Sequence, residues 1–363
     1  MFKLNFSLLN KKEKIYFFAL FFLFIIASFL EALGIGLIYP IINLVLNDTY
    51  LQNVYYKKYL LDFNFTKIQI TVIGLCVLSF VFLFKNAFVL FVKYLSLNFR
   101  KKIDLRVTKD IISKYLLVNY ENIFSKTTEK ILKNVTFTRD FSSTIFALIN
   151  IVQELFTYIF IMTLLIFLNP KLVLIIFLSF LLIILIFYIV GKKIIYKLGN
   201  QFQLNLEIIY KMIVETVSAI KLIKLIGKEK YFLNKIQKRN TKEANIRNKS
   251  DLILQIPSHL IEICSVISIS LIIIFLTYQQ NNFDELIATV AIFAAAISRL
   301  MPSTTRLISY MQTLRFNLPK TKIIYDELNS FKNQKNPYLI LNSSKTNKKI
   351  LFEKNIKFHK VDF

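Results

Sequence analysis

The stretch Leu172-Val-Leu-Ile-Ile-Phe-Leu-Ser-Phe-Leu-Leu-Ile-Ile-Leu-Ile-Phe-Tyr-Ile-Val190 contains no charged residue. An α-helix needs about 20 apolar residues to cross the hydrocarbon core of a bilayer, and this stretch has that length. Only Asn169-Pro-Lys171 separates it from a second apolar run at 141–168. The two runs therefore predict a tight hairpin of membrane-spanning helices, whose backbone groups are satisfied within each helix.

Similar apolar runs occur along the whole chain and define its fold class. Six qualify as spans: 15–46, 68–92, 141–168, 172–190, 252–278 and 286–311. Hydrophobic residues make up 55% of the 363 residues, which is more than the interior of an ordinary soluble protein holds. We therefore predict an all-α membrane protein with six transmembrane helices, and we exclude a soluble globular protein.

Positive charge is concentrated in two long connectors. Residues 93–128 carry eight Lys or Arg against three acidic residues, and 191–251 carry fourteen against five. The other connectors hold three lysines in 47–67, one in 169–171 and none in 279–285. Because basic loops stay on the cytoplasmic side, we expect a multi-pass inner-membrane protein with both termini in the cytoplasm. The net charge of +25 then indicates lipid headgroups as partners, not nucleic acid.

The two basic connectors keep helical periodicity. Within 191–251, for example, apolar residues such as Leu204 and Ile208 recur at helical spacing between charged ones. We therefore predict that the spans continue as helices well beyond the membrane and turn back near 115–125 and 219–228. Rigid protrusions of this length suggest that a partner docks at their tips.

Three segments carry a family resemblance. Glu215-Thr-Val-Ser-Ala-Ile-Lys-Leu-Ile-Lys-Leu-Ile-Gly-Lys-Glu-Lys-Tyr-Phe232 is similar to the second coupling-helix region of type IV, exporter-type ABC transporters. Phe29-Leu-Glu-Ala-Leu-Gly-Ile-Gly-Leu-Ile-Tyr-Pro40 resembles their first span, and Ala291-Ile-Phe-Ala-Ala-Ala-Ile-Ser-Arg-Leu-Met-Pro-Ser-Thr-Thr-Arg-Leu-Ile308 resembles their sixth. Both spans look most like the lipid-linked oligosaccharide flippase subgroup. The resemblance implies a homodimer with swapped fourth and fifth helices, driven by two cytoplasmic ATPase domains.

The resemblance also implies where those ATPase domains contact the chain. Coupling helices are expected near 117–124 and 219–227. The residues expected to make the contact are Asn119, Tyr120, Ile220, Lys221 and Leu225.

The ATP-binding motifs themselves are not found in this sequence. A phosphate-binding P-loop requires G-x-x-x-x-G-K-[ST]. The chain has six glycines, and the two that precede a lysine, Gly191 and Gly227, lack a second glycine at the required spacing. We therefore expect that the chain alone is not an ATPase, and that ATP and Mg²⁺ bind to a nucleotide-binding domain in trans.

The C-terminal sequence resembles the beginning of such a domain. After a membrane domain at 1–328 and a linker at 329–348, residues 349–363 alternate polar and apolar side chains like the first strand of the family's ATPase domain. Two explanations remain open: the chain is truncated, or a separate ATPase subunit exists. The strand-like segment favours truncation.

Charged residues inside the spans predict the transport path, because such residues are costly in lipid and usually face an interior path. Arg299 and Arg306 are seven residues apart, so they lie on one helix face about 10 Å apart. Guanidinium groups suit phosphate or pyrophosphate. The alternative is an internal ion pair, such as Arg299 with Glu31 or Glu262, or Arg306 facing cytoplasmic water. The full set of candidates is Glu31, Lys85, Glu154, Glu262, Arg299 and Arg306.

The flippase resemblance implies a substrate. Lys85, Arg299 and Arg306 match basic residues that line the family's cavity and contact pyrophosphate, whereas a further family arginine, near Ser258, is absent here. The implied function is translocation of a polyprenyl-pyrophosphate-linked glycan or a similar amphipathic lipid. Alternatives are export of another lipid or a peptide, or a non-transporting gene fragment. No cluster with metal-ligand spacing predicts a metal site.

The loop 47–67 has its own predictions. Its tyrosines and lysines are spaced as in a short interfacial helix, although a plain loop with interfacial tyrosines fits as well. Asn64 lies in Asp62-Phe-Asn-Phe-Thr66, which resembles a bacterial N-glycosylation sequon.

Overall fold

A computed structural model describes residues 9–46, 67–117, 126–279 and 283–330. Every regular element in these ranges is a helix. In chain order they are α1 Lys11–Gly36, α2 Ile38–Leu46, α3 Lys67–Leu117, α4 Thr128–Leu168, α5 Pro170–Ser218, α6 Ile220–Ile226, α7 Glu229–Gln279 and α8 Phe283–Ser330.

The predicted fold class is confirmed. Six helical segments of the described chain are long and apolar enough to cross a membrane, and they coincide with the six predicted spans. The helices also extend beyond those spans, as expected. With 51 residues, α7 is about 77 Å long, whereas the hydrocarbon core is about 30 Å thick.

The predicted hairpin forms between α4 and α5, with Asn169 as its single connecting residue. The Asn169 Oδ1 atom accepts hydrogen bonds from the backbone N–H groups of Lys171 at 3.2 Å and Leu172 at 3.4 Å. Pro170 occupies the first helical position, where its missing N–H costs nothing. Asn169 therefore satisfies donors at the start of α5, and the chain reverses without a longer loop.

The first span, Lys11–Val45, has a local interruption at Leu37, which separates α1 from α2. Pro40 has no backbone N–H, so it cannot donate a hydrogen bond to the carbonyl of Gly36, four residues earlier. The series of backbone hydrogen bonds along the helix is therefore interrupted here, and Pro40 lies in the first turn of α2. At the same point α1 closely approaches α4, since a Cβ atom on Gly36 would lie 2.8 Å from Leu164 Cδ1.

The last helix, α8, is the centre of the bundle. It packs against α4, α5 and α7, while α1 packs against α3 and α4. One hydrophobic cluster joins α1, α4, α5, α7 and α8, with fully buried Ile161, Phe180 and Phe293 at its centre. A second cluster joins α1, α3, α4 and the C-terminal end of α8. Because α8 takes part in both clusters, charged residues on it are surrounded by protein on several sides.

The contact between α5 and α8 depends on Gly199. A Cβ atom at this position would overlap the backbone carbonyl of Phe316, which cannot move aside as a flexible side chain would. We expect Gly199→Ala to destabilise the protein by about 1–3 kcal/mol, the usual range for overpacking. Thermal unfolding in detergent, followed by circular dichroism, measures the loss.

Gly74→Ala is the matched control for this prediction. Its added Cβ would lie 3.8 Å from Ile41 Cγ1, an ordinary van der Waals distance, so its unfolding temperature should stay close to that of the wild type. Equal stability of the two alanine variants would contradict the close packing at Gly199.

Several predictions fall outside the described residues. These are the linker beyond Ser330, the strand at 349–363, the interfacial helix and the Asn64 sequon within 47–66, and the first coupling region with Asn119 and Tyr120.

Candidate functional site

Arg299 on α8 forms an ion pair with Glu31 on α1. Two of its three guanidinium nitrogens, Nε and Nη2, donate to the Glu31 carboxylate, with Nε 3.2 Å from Oε2. The Glu31 side chain is 6% exposed, but that of Arg299 is 31% exposed. The other partner considered from the sequence, Glu262, has an exposed side chain on α7 and forms no ion pair with a described residue. Part of the Arg299 guanidinium group therefore stays accessible, although the Glu31 carboxylate balances its charge.

Arg306 lies about two turns further along α8 and pairs with Glu154 on α4. Its Nε is 2.5 Å from Glu154 Oε1, and its Nη2 is 3.2 Å from Oε2. Ser303 also donates to Glu154 Oε2, at 2.6 Å. The Glu154 side chain is nearly buried, whereas that of Arg306 is 36% exposed. This pair repeats the pattern of the first, with a buried carboxylate and a partly open guanidinium.

Lys85 on α3 reaches the same region. Its side chain is buried against Gly34 of α1, where a Cβ atom would lie 2.9 Å from the lysine Nζ. The Nζ atom is 3.7 Å from the ring centroid of Phe82, which gives a cation–π contact. Lys85 also interacts electrostatically with Glu31 and Arg299. The glycine on α1 thus leaves the space that lets Lys85 approach the first ion pair.

These five side chains form one charged cluster inside the membrane segments: Lys85, Arg299, Arg306, Glu31 and Glu154. Three cations against two carboxylates leave a formal charge of +1. A charge excess is costly in a low-dielectric region and attracts an anion. Because both guanidinium groups are partly exposed, an oxyanion can contact them while the carboxylates still hold the arginines in place.

An apolar groove opens on another face of α1. It has a volume of about 480 Å³ and lies between α1, α4 and α8, with Phe29, Leu33, Phe160 and Ile292 among its walls. Phe29 and Leu33 are each two residues from the buried Glu31, so they point away from it and are exposed. Along α8, however, Ile292 lies two turns, about 10 Å, from Arg299, so a long lipid could contact both the groove and the charged cluster. The described residues contain no group of His, Cys, Asp and Glu that could hold a metal ion.

The second predicted coupling region forms the short helix α6 between α5 and α7. Ile223 is buried and anchors it, while Ile220, Lys221 and Leu225 are exposed. Gly227 ends the helix with a φ of 67°, which a residue with a side chain rarely adopts. This tip presents apolar side chains to its surroundings, as a docking surface does.

A comparison with known families found a match that covers most of the chain. The family model described as the ABC transporter transmembrane region matches residues 17–301. The match begins in α1, includes α6, and ends within α8 just after Arg299.

Proposed function

Because this chain belongs to the ABC transporter transmembrane family, we propose that it forms the pathway of an ATP-driven flippase for an anionic amphipathic lipid. Family membership and six apolar helices make it a multi-pass membrane protein of a transporter. The proposed substrate is a polyprenyl-pyrophosphate-linked glycan or a lipid of similar chemistry.

The charged cluster is the observation that supports this substrate. A pyrophosphate carries oxyanions that match the fork of a guanidinium group. Arg299 and Arg306 offer two such groups about 10 Å apart along α8, and Lys85 adds the unmatched positive charge. The apolar groove, whose Ile292 lies about 10 Å along α8 from Arg299, provides a surface for a hydrocarbon chain. A lipid with an anionic head group and a long apolar tail can contact both the charged cluster and the groove, whereas a neutral lipid can contact only the groove.

The energy for transport is proposed to come from a nucleotide-binding domain, on the same or a separate polypeptide. This domain would bind ATP and Mg²⁺, and the exposed apolar face of α6 would dock into it. Two copies of the chain would form the complete pathway. The basic helix extensions would lie in the cytoplasm, with the transporter in the inner membrane.

A charge-neutral double variant tests the substrate. Glu31→Gln with Arg299→Gln removes the ion pair as a whole, so the formal charge of the cluster stays at +1 and no carboxylate is left buried without its arginine. Hydrogen bonds between charged groups contribute about 1.5–3 kcal/mol, so we expect binding of polyprenyl-pyrophosphate-glycan to weaken roughly 10- to 100-fold. The measurement is titration of the lipid into purified protein in nanodiscs.

Arg139→Gln is the control for this experiment, because Arg139 is an exposed arginine on α4 away from the cluster. Its affinity should equal that of the wild type. Unchanged affinity in the double variant would refute the pyrophosphate assignment and favour export of another lipid or of a peptide.

A further inference from the structure

A groove with unmatched positive charge lies between α5 and α7, beyond their apolar runs. Its volume is about 430 Å³, within the range of small-ligand pockets. Residues within 198–208 and 239–249 line it, whereas the apolar run of α5 ends at Val190 and that of α7 begins at Leu252. We call it the basic groove. It shares no residue with the charged cluster or with the apolar groove.

Three cations line the basic groove, and none of the described residues that line it is a carboxylate. Arg239, Lys242 and Lys249 follow one another on α7 at spacings of three and seven residues, so they lie on one stripe of the helix. None of the three forms an ion pair with another described residue. The lining of the groove therefore carries three positive charges and no balancing negative charge.

The acidic residues closest to the basic groove in sequence bind other cations. Glu207 on α5 has its Oε2 atom 2.8 Å from Lys133 Nζ on α4. Glu243 on α7 has its Oε1 atom 2.5 Å from Arg247 Nη2, one turn further along the same helix. Both carboxylates thus balance charges outside the groove. A negative charge for the groove has to come from a bound molecule.

The position of Arg239 is fixed by a contact between the two helices. Asn205 on α5 is 3% exposed, and its Nδ2 atom donates to the backbone carbonyl of Arg239 at 3.1 Å. The Arg239 side chain is half-buried in the groove, one turn from the exposed Lys242. Like charges at this spacing on a helix repel each other. An anion between the two side chains would remove the repulsion.

We propose that the basic groove binds an anion that carries phosphate groups. Guanidinium and ammonium groups bind phosphate oxygens through charge-assisted hydrogen bonds. Arg239 and Lys242 are about 4.5 Å apart along the helix axis, so two linked phosphate groups can contact both. A single carboxylate would balance only one of the three cations, whereas linked phosphates carry enough charge for all of them. The site does not depend on which lipid is transported.

Two sources could supply such an anion. Lys249 is three residues, about 4.5 Å, from the apolar run that begins at Leu252, so the head group of an anionic lipid can reach this end of the groove. Arg239 is about 20 Å from the same run, where a soluble phosphate compound has access. In both cases the ligand would lie between the two helices that carry α6, and would link them.

A fluorophore in the basic groove reports binding at this site. The full chain, with Cys76→Ser and Cys264→Ser, carries an environment-sensitive dye on Gln201→Cys, an exposed position of the groove. The protein is placed in nanodiscs of a neutral lipid and titrated with inorganic pyrophosphate. We expect a saturable change in fluorescence. Because the dye is remote from Arg299 and Arg306, this result and the result for the proposed function are independent.

Arg239→Gln with Lys242→Gln should weaken the binding of pyrophosphate at least tenfold, because two charged hydrogen-bond donors are lost. The two side chains have no ion-pair partner, so the unfolding temperature should not fall. The matched control is Lys101→Gln with Lys109→Gln, which removes the same charge from exposed lysines in the basic extension of α3. It should bind pyrophosphate like the wild type.

The lipid of the nanodisc identifies the source of the anion. If phosphatidylglycerol changes the fluorescence by itself and pyrophosphate then has to compete, the ligand is a lipid head group. If phosphatidylglycerol has no effect, the ligand is a soluble phosphate compound. No saturable response to either probe would overturn the proposal. An equal loss of affinity in the groove variant and the control would also overturn it, since only the general positive charge of the helix extensions would then attract the anion.

Discussion

Replacing Arg306 by leucine is expected to destabilise the protein by about 1.5–3 kcal/mol, because the nearly buried Glu154 carboxylate loses its charged hydrogen-bond donor. The substitution leaves the Glu154 carboxylate buried between α4 and α8, with Ser303 as its remaining donor. Thermal unfolding in detergent, followed by circular dichroism, measures the loss. Since these two helices meet at the centre of the bundle, unfolding should remain a single transition at a lower temperature.

A second substitution should restore stability. Arg306→Leu combined with Glu154→Gln removes both charges, and the amide can still accept the Ser303 hydrogen bond, so most of the loss should be recovered. Lys211→Leu is the control, because its pair with Glu215 on α5 is exposed on both sides and should contribute less than about 1 kcal/mol. A similar loss for Lys211→Leu and Arg306→Leu would contradict a special role for the pair between Arg306 and Glu154.

The six spans could be predicted from the sequence because each is a continuous apolar run, and length and hydropathy alone identify such runs. The extensions could be predicted because helical periodicity continues through 93–128 and 191–251. The interruption at Leu37 gave no hydropathy signal, because the residues on both sides of it are largely apolar. Gly36 and Pro40 together did provide a signal.

The candidate site could be predicted only in part. Composition identified the charged residues in the spans, but their partners are distant in sequence: Arg299 is 268 residues from Glu31, and Arg306 is 152 residues from Glu154. Which carboxylate meets which arginine depends on how α1 and α4 pack against α8.

The position of α8 suggests how docking at α6 would reach the site. The helix carries Arg299 and Arg306, and it contacts α5 through the close approach at Gly199. Because α5 leads directly into α6, a force on α6 acts on a helix that packs directly against α8. We therefore expect movement at the tip to change the surroundings of both arginines.

The second large effect is expected from Leu225→Asp in α6. The Leu225 side chain is 77% exposed, so the substitution should leave the fold unchanged. If this residue inserts into a nucleotide-binding domain, a buried aspartate there would weaken docking by 2 kcal/mol or more, which is about thirtyfold. The measurement is lipid-stimulated ATP hydrolysis by the assembled transporter in nanodiscs.

The control for this prediction is Leu105→Asp, at an exposed leucine on α3 that belongs to neither the charged cluster nor the tip. It should retain wild-type stimulation. Loss of stimulation in Leu225→Asp with unchanged thermal unfolding would locate the defect in docking. An aspartate cannot replace a leucine in an apolar contact without a large loss of affinity. Full stimulation in Leu225→Asp would therefore mean that the nucleotide-binding domain docks on another surface of the chain.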